Sequence, residues 1–215
     1  MTAAILKPPF PRLQRGRGLA RGLVAAWPAY EGSGAILHDV TGNRFDGTLH
    51  GGATWTGGRA GSCLKCDGAS GYVSMTSPLG ASITQYTQAA WLNSGVTGNV
   101  ALSFGDAGQL WIGNFTGGRW NANAANGVIV SSTQNATGGW HHILAKYDGS
   151  ALSIYVDGSF SNNVGYSSSV DGSGNGYIGN YQGSALYWNG LIDDVRIWNR
   201  ALSDAEIREI SMGQG

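Results

Sequence analysis

Residues 190–210 read G-L-I-D-D-V-R-I-W-N-R-A-L-S-D-A-E-I-R-E-I, and two different elements meet in them. Residues 191–198 alternate as a strand does, which puts Leu191, Asp193, Val195 and Ile197 on one face and Ile192, Asp194, Arg196 and Trp198 on the other. Asp193 thus shares its face with three aliphatic side chains. A charged carboxylate pointed at a core is very costly without a partner, so one is expected for it. Ser203 then opens a short helix. S-D-A-E is a capping box with Glu206 at its third position, Leu202, Ile207 and Ile210 form the apolar side, and Gly213 is placed to end it.

Upstream of this strand the chain is a series of short apolar runs separated by Gly, Asn and Ser. They cover residues 23–27, 35–38, 48–50, 72–75, 87–92, 100–104, 110–112, 127–130 and 177–179, and 63–66 lead into Asp67. Residues 140–147 and 152–156, joined at Asp148-Gly149, make the clearest hairpin. Residues 51–61 read as a loop with Trp55 packed across it. Even spacing of short strands, with 36 glycines and eight tryptophans in 215 residues, predicts an all-β fold. The expected architecture is a two-sheet antiparallel jelly-roll-like sandwich over residues 23–215, with a short C-terminal helix and an extended N-terminal arm over residues 1–22.

Four segments carry a family resemblance: the closing strand and helix, residues 27–49 (W-P-A-Y-E-G-S-G-A-I-L-H-D-V-T-G-N-R-F-D-G-T-L), residues 67–73 (D-G-A-S-G-Y-V) and the W-H-H-I-L-A-K-Y-D-G-S hairpin. In this order they resemble laminin-G-like domains of the concanavalin A-like lectin/glucanase superfamily. The resemblance spans residues 22–213 and implies the same sandwich.

The formal net charge is zero, but Lys7, Arg12, Arg15, Arg17 and Arg21 stand in residues 1–22 without an acid, so that segment is +5 and the remainder −5. The arm also holds Pro8, Pro9 and Pro11, which favour extended backbone. It lacks the apolar core of a secretory signal, and no apolar run reaches the roughly 18 residues a membrane span needs. Five charges without interleaved aromatics leave no specific nucleic-acid site. The arm reads as a docking segment for a larger partner, or as a solvated tail. Cys63 and Cys66 have no second ligand pair for zinc; on a strand they face opposite ways, as buried free thiols, and reduced cysteines suit assembly in a cytoplasm.

The resemblance implies a structural calcium ion where the first loop meets the closing strand. Calcium takes six to eight oxygens, and the candidate donors are Asp39, Asn43, Asp67 and Asp193, with Glu31 as a further one. The alternative is that Asp193 accepts loop amides and Asp39 shapes a turn. For glycans, Trp111, Trp120, Tyr181 and Trp188 lie in glycine-rich polar contexts and are candidates for stacking on sugar rings, set against core packing. Asp204, Glu206 and Glu209 mimic the carboxylate spacing of glucanases of this superfamily, which need two acids about the scissile bond. On a helix, however, residues two apart diverge by about 200°, so no catalytic residue is expected. His141 and His142 point to opposite sides of a strand and are assigned to packing.

The function expected is a non-catalytic structural or binding module. The entry L-x-R-G-x-x-L-A-R-G-L-V-A-A-W resembles the starts of phage structural proteins. That implies a virion decoration protein, docked through its arm to capsid or tail proteins and displayed on the virion surface, with glycan binding and self-association as further expectations. The alternatives are a free or cell-surface lectin outside the cell, and a glycan hydrolase.

Overall fold

The computed structural model describes residues 18–105, 109–115, 117–125, 127–136 and 138–213. The strands are β1 (Leu23–Trp27), β2 (Ile36–Leu37), β3 (Gly47–His50), β4 (Thr54–Gly57), β5 (Ser62–Asp67), β6 (Tyr72–Thr76), β7 (Tyr86–Ser94) and β8 (Val100–Phe104). There follow β9 (Leu110–Gly113), β10 (Arg119–Ala124), β11 (Ile129–Asn135), β12 (Trp140–Tyr147), β13 (Ala151–Val156), β14 (Ser159–Gly165), β15 (Asn175–Ile178) and β16 (Asn189–Trp198), then the helix α1 (Asp204–Ser211). They form two antiparallel eight-stranded sheets. The first runs β14-β13-β12-β7-β16-β5-β4, with β1 also on β16, and the second runs β11-β10-β9-β8-β15-β6-β3-β2. This is the expected sandwich with one C-terminal helix. No described helix is long and apolar enough to cross a membrane.

Strand β16 organises the first sheet. Its N-terminal half pairs β5, its C-terminal half pairs β1, and β7 lies along its other side. The exchange of partner falls at a bulge between Asp193 and Arg196, where Asp194 has φ 50°. A bulge inserts a residue and reverses which face the following side chains take. Ile192, Val195 and Ile197 therefore all join the core between the sheets. The unbroken alternation read from the sequence is corrected accordingly: Asp193 does not share the face of Val195 and Ile197 but lies opposite Trp91 on the outer face of the sheet, where it is nevertheless buried as expected, at 3% exposed.

Three strands escape the sequence pattern. Residues 54–57, read as loop, pair with β5, and Trp55 spans to Gly34, its Nε1 donating to the carbonyl at 2.8 Å. β10 buries Trp120, Ala122 and Ala124, a single ring and two small alanines interleaved with asparagine, which do not register as an apolar run. β14 is an almost wholly polar edge strand. Its exposed edge is shielded by β11 of the other sheet, since Ser161 Oγ accepts from the Thr133 amide at 2.9 Å and Asn162 Nδ2 donates to Ser131 O at 3.0 Å.

A second core lies outside the first sheet, where α1 packs. Leu202, Ile207 and Ile210 meet Ala89, Leu144, Tyr155 and Trp198. The capping box is present, with Ser203 Oγ accepting from the Glu206 amide and the Glu206 carboxylate accepting from the Ser203 amide at 2.8 Å. Met212 caps the helix, followed by Gly213 at φ 72°. Within residues 18–22, read from the sequence as part of the arm, Leu19 joins this core. A 3-10 turn over Gly18–Ala20 buries Leu19 beside α1. Trp198 Nε1 donates to Leu19 O at 2.8 Å, and the Arg200 guanidinium donates to Gly18 O and Arg21 O. The backbone of Arg21 is thus part of the body, while Lys7, Arg12, Arg15 and Arg17 lie outside the described residues.

Candidate functional site: the outer face of the second sheet

On the second sheet, residues of alternate parity point away from the core. Val73, Met75, Leu102, Phe104, Ile112, Ala122 and Ile178 fill the interior. Their neighbours build a transverse row through the register of all eight strands: Ile129, Asn123, Trp111, Ser103, Tyr177, Ser74, Thr48 and Ile36. At about 4.8 Å per strand the row spans roughly 34 Å, enough for an oligosaccharide or an extended peptide rather than a single small molecule. Ile129 and Ile36 at the ends are exposed, while Asn123, Trp111 and Ser103 towards the middle are buried. The row is thus open at its two ends and closed over at Ser103, a trough whose reachable lining is the side chains that flank that residue.

Ser103 Oγ and Asn123 Oδ1 are buried without a hydrogen-bond partner among the described residues, beneath the surface a ligand would meet, and such groups call for an enclosed water. What can meet a ligand is the rings. Beside Tyr177 stands a cluster of half-buried rings. His50 stacks on Tyr72 at 4.7 Å, and Tyr72 lies 6.2 Å from both Tyr177 and Tyr187. His50 Nε2 is 2.8 Å from Ser74 Oγ, tying the ring to the row. The loop from Asn180 to Trp188 closes this end. Gly183 lies against the Tyr177 ring, where a Cβ would come 2.9 Å from it, and its amide donates to Asn180 Oδ1.

The glycan candidates are redistributed. Trp120 and Trp188 are wholly buried in the interior core, stacked on each other at 6.3 Å, so neither can stack on a sugar; this corrects the expectation. Trp111 is on the outer face but only 5% exposed, edge-on to Phe115. Tyr181 is half-buried in the loop after β15, where its amide bonds Ala185 O. Glycine-rich context drew attention to these aromatics, yet context does not set direction. The rings that do face outward, Tyr72 and Tyr177, were legible from strand parity, each alternating with core aliphatics.

The four calcium candidates are not brought together. Asp39 and Asn43 lie near the start of β1. Asp39 accepts from the amides of Ala26, Thr41 and Phe45 and from the Thr41 hydroxyl, and Asn43 Nδ2 donates to Val24 O. Asp67 shapes a turn: three amides, of Ser70, Ala69 and Gly71, hold its carboxyl well below the usual range. Its Cα neighbour is Asn189, whereas Asp193 lies four residues further along β16, where Gly58 packs on its carboxylate. Among the described residues no three His, Cys, Asp or Glu side chains group as a metal site. The four therefore do not fit one calcium ion. The carboxylate with an oxygen to spare is Glu31, whose Oε2 is buried and unpartnered among the described residues.

The remaining acids and histidines have structural partners. Glu206 is clamped by Arg200, which holds its carboxyl down at about 2. Tyr155 and Lys146 bond Asp204, fixing the helix to the first sheet. His142 packs on Trp91 at 5.3 Å, and burial pushes its imidazole down to about 4. His141 lies against Trp120 on the other side and bonds Asp157 at 2.8 Å, as their opposed directions required. Cys63 and Cys66 are buried free thiols, and burial pushes the Cys66 thiol up to about 12.

Residues 67–208 match the family model described as the concanavalin A-like lectin/glucanases superfamily. Among solved structures, domain 4 of AbnA, a GH43 extracellular arabinanase from Geobacillus stearothermophilus in complex with arabinotriose, aligns with a TM-score of 0.70 at 19% identity, over 88% of this chain and 98% of that one. The binding domain of Paraclostridial Mosquitocidal Protein 1 aligns at 0.73 and 14% identity, over 90% of this chain and 52% of that one. Trypanosoma rangeli sialidase aligns at 0.66 and 19% identity, over 90% of this chain but 33% of its own length. At these identities the likeness is one of fold. No curated protein matches the sequence.

Proposed function

Because the chain belongs to the concanavalin A-like lectin/glucanases superfamily, we propose that it is a non-catalytic glycan-binding module that reads an oligosaccharide along the outer trough of its second sheet. The observation that carries this reading is the trough itself: a row across eight strands with half-buried tyrosines beside it. Aromatic faces pack on the C–H faces of sugars, and hydroxyl and amide groups orient them. The arabinotriose bound to the arabinanase domain is in keeping with it. Hydrolysis would need two carboxylates about the scissile bond, and none stands on the described strands of this sheet. A glycan array probed with wild type and Tyr177→Ala tests the reading. Spots that the variant loses are expected; an array blank for wild type would overturn it.

One observation favours carriage on a larger assembly, the virion surface being the case implied by the entry motif. Leu19, at the start of the described residues, packs beside α1 outside the first sheet, on the side opposite the trough. A tether there leaves the trough free. Particle incorporation that persists without residues 1–17 would refute docking through the arm.

A further inference from the structure

Resting on the glycan-binding reading, we infer that the trough selects neutral saccharides and rejects those carrying carboxylates, such as sialosides and uronides. The first ground is charge. Among the described residues the eight strands of the second sheet carry one charged side chain, Arg119. Its guanidinium is already committed, donating to Ser132 O and Thr133 O on β11. The first sheet, by contrast, carries Lys65, Asp67, Lys146, Asp193, Asp194 and Arg196 on its strands. The chain thus places its strand-borne charge on one sheet and almost none on the sheet that bears the trough.

The second ground is desolvation. Ser103 is 0% exposed, so a ligand meets the flanking rings of Trp111 and Tyr177, and a group held against those rings loses water. A carboxylate in such a place needs a cation, and an unpaired one is very costly. No strand cation of this sheet is free to supply it.

The third ground is the neighbouring acid. At the His50 end the bordering acid is Asp67, packed on Gly52 and held ionised by its three amide bonds, which adds repulsion for an anion.

The test is a binding titration of the full chain with neutral and acidic pairs: galactotriose against trigalacturonate, which differ by oxidation of hydroxymethyl groups to carboxylates, and lactose against 3′-sialyllactose, which adds a whole acidic residue, each alone and read by calorimetry at low and high salt. These are run beside a glycan array holding further neutral and acidic pairs. The expected result is that the neutral member binds at least tenfold tighter, with no salt dependence, and that Tyr177→Ala weakens it at least tenfold. Phe160→Ala, on the edge strand of the other sheet, should leave it unchanged. Acidic members that bind as tightly as neutral ones, or in a salt-sensitive way, would overturn the inference and leave the glycan-binding reading standing. An array on which no saccharide binds overturns both.

Discussion

Trp120 and Tyr177 show how one residue's direction decides its role. Trp120 is sealed in the interior against Trp188, so Trp120→Ala should cost about 3–5 kcal/mol in chemical denaturation without regard to ligand. Tyr177 is half-buried on the outer face; Tyr177→Ala should cost about 1 kcal/mol yet abolish most binding. A Tyr177→Ala protein as unstable as Trp120→Ala would contradict its placement. His142 offers a second prediction. Its folded value of about 4 lies below the ordinary 6.5, because burial disfavours the charged ring. A depressed value means that the stability it lends is complete above pH 6.5 and is lost as pH falls towards 4. Wild type should therefore lose up to about 3 kcal/mol more than His142→Gln over that interval, measured by urea titration at successive pH values. Parallel slopes for the two proteins would refute this. These directions were only partly legible in the sequence: adjacency told His141 from His142, whereas glycine-rich surroundings gave no direction for Trp120 or Trp188.

The helix α1 and the turn over Gly18–Ala20 stand or fall together. Arg200 joins them, since its guanidinium grips Glu206 while donating to Gly18 O and Arg21 O. Glu206 is held at about 2, below its ordinary 4.5, first by the Arg200 hydrogen bond. Its contribution is therefore present above pH 4.5 and disappears as pH falls towards 2. Glu206→Gln should lower the melting temperature at neutral pH and converge with wild type in acid; a constant difference across pH would argue against the clamp. Leu19→Ala should destabilise by about 2 kcal/mol. A chain beginning after Gly22 should melt below one beginning at Gly18, and equal melting temperatures would show that the turn contributes nothing. The capping box announced this helix in sequence, because its signal is local. The docking of residues 18–22 was hidden, because their partners, Trp198 and Arg200, lie some 180 positions away.

At the scale of the molecule, the sandwich separates two surfaces: the first sheet carries α1 and the root of the N-terminal segment, the second carries the trough. Deleting residues 1–17 should therefore leave saccharide affinity unchanged in calorimetry, and a loss of more than a few fold would mean that the segment reaches the trough. The sequence by itself determined the fold class, the family, the strand-dense body and the capped helix. Those properties rest on periodicity, turn residues and local hydrogen bonds, all of which act over a few positions. Only the tertiary structure decided that Val195 and Ile197 turn inward past a bulge while Asp193 lies on the outer face, that Asp39 and Asp67 serve separate loops, and that Trp111, Ser103 and Tyr177 stand side by side in one row. Strand parity says which residues share a face, but a bulge reverses it. Which strands lie side by side is fixed by long-range pairing, and a row across eight strands exists only once that pairing is made.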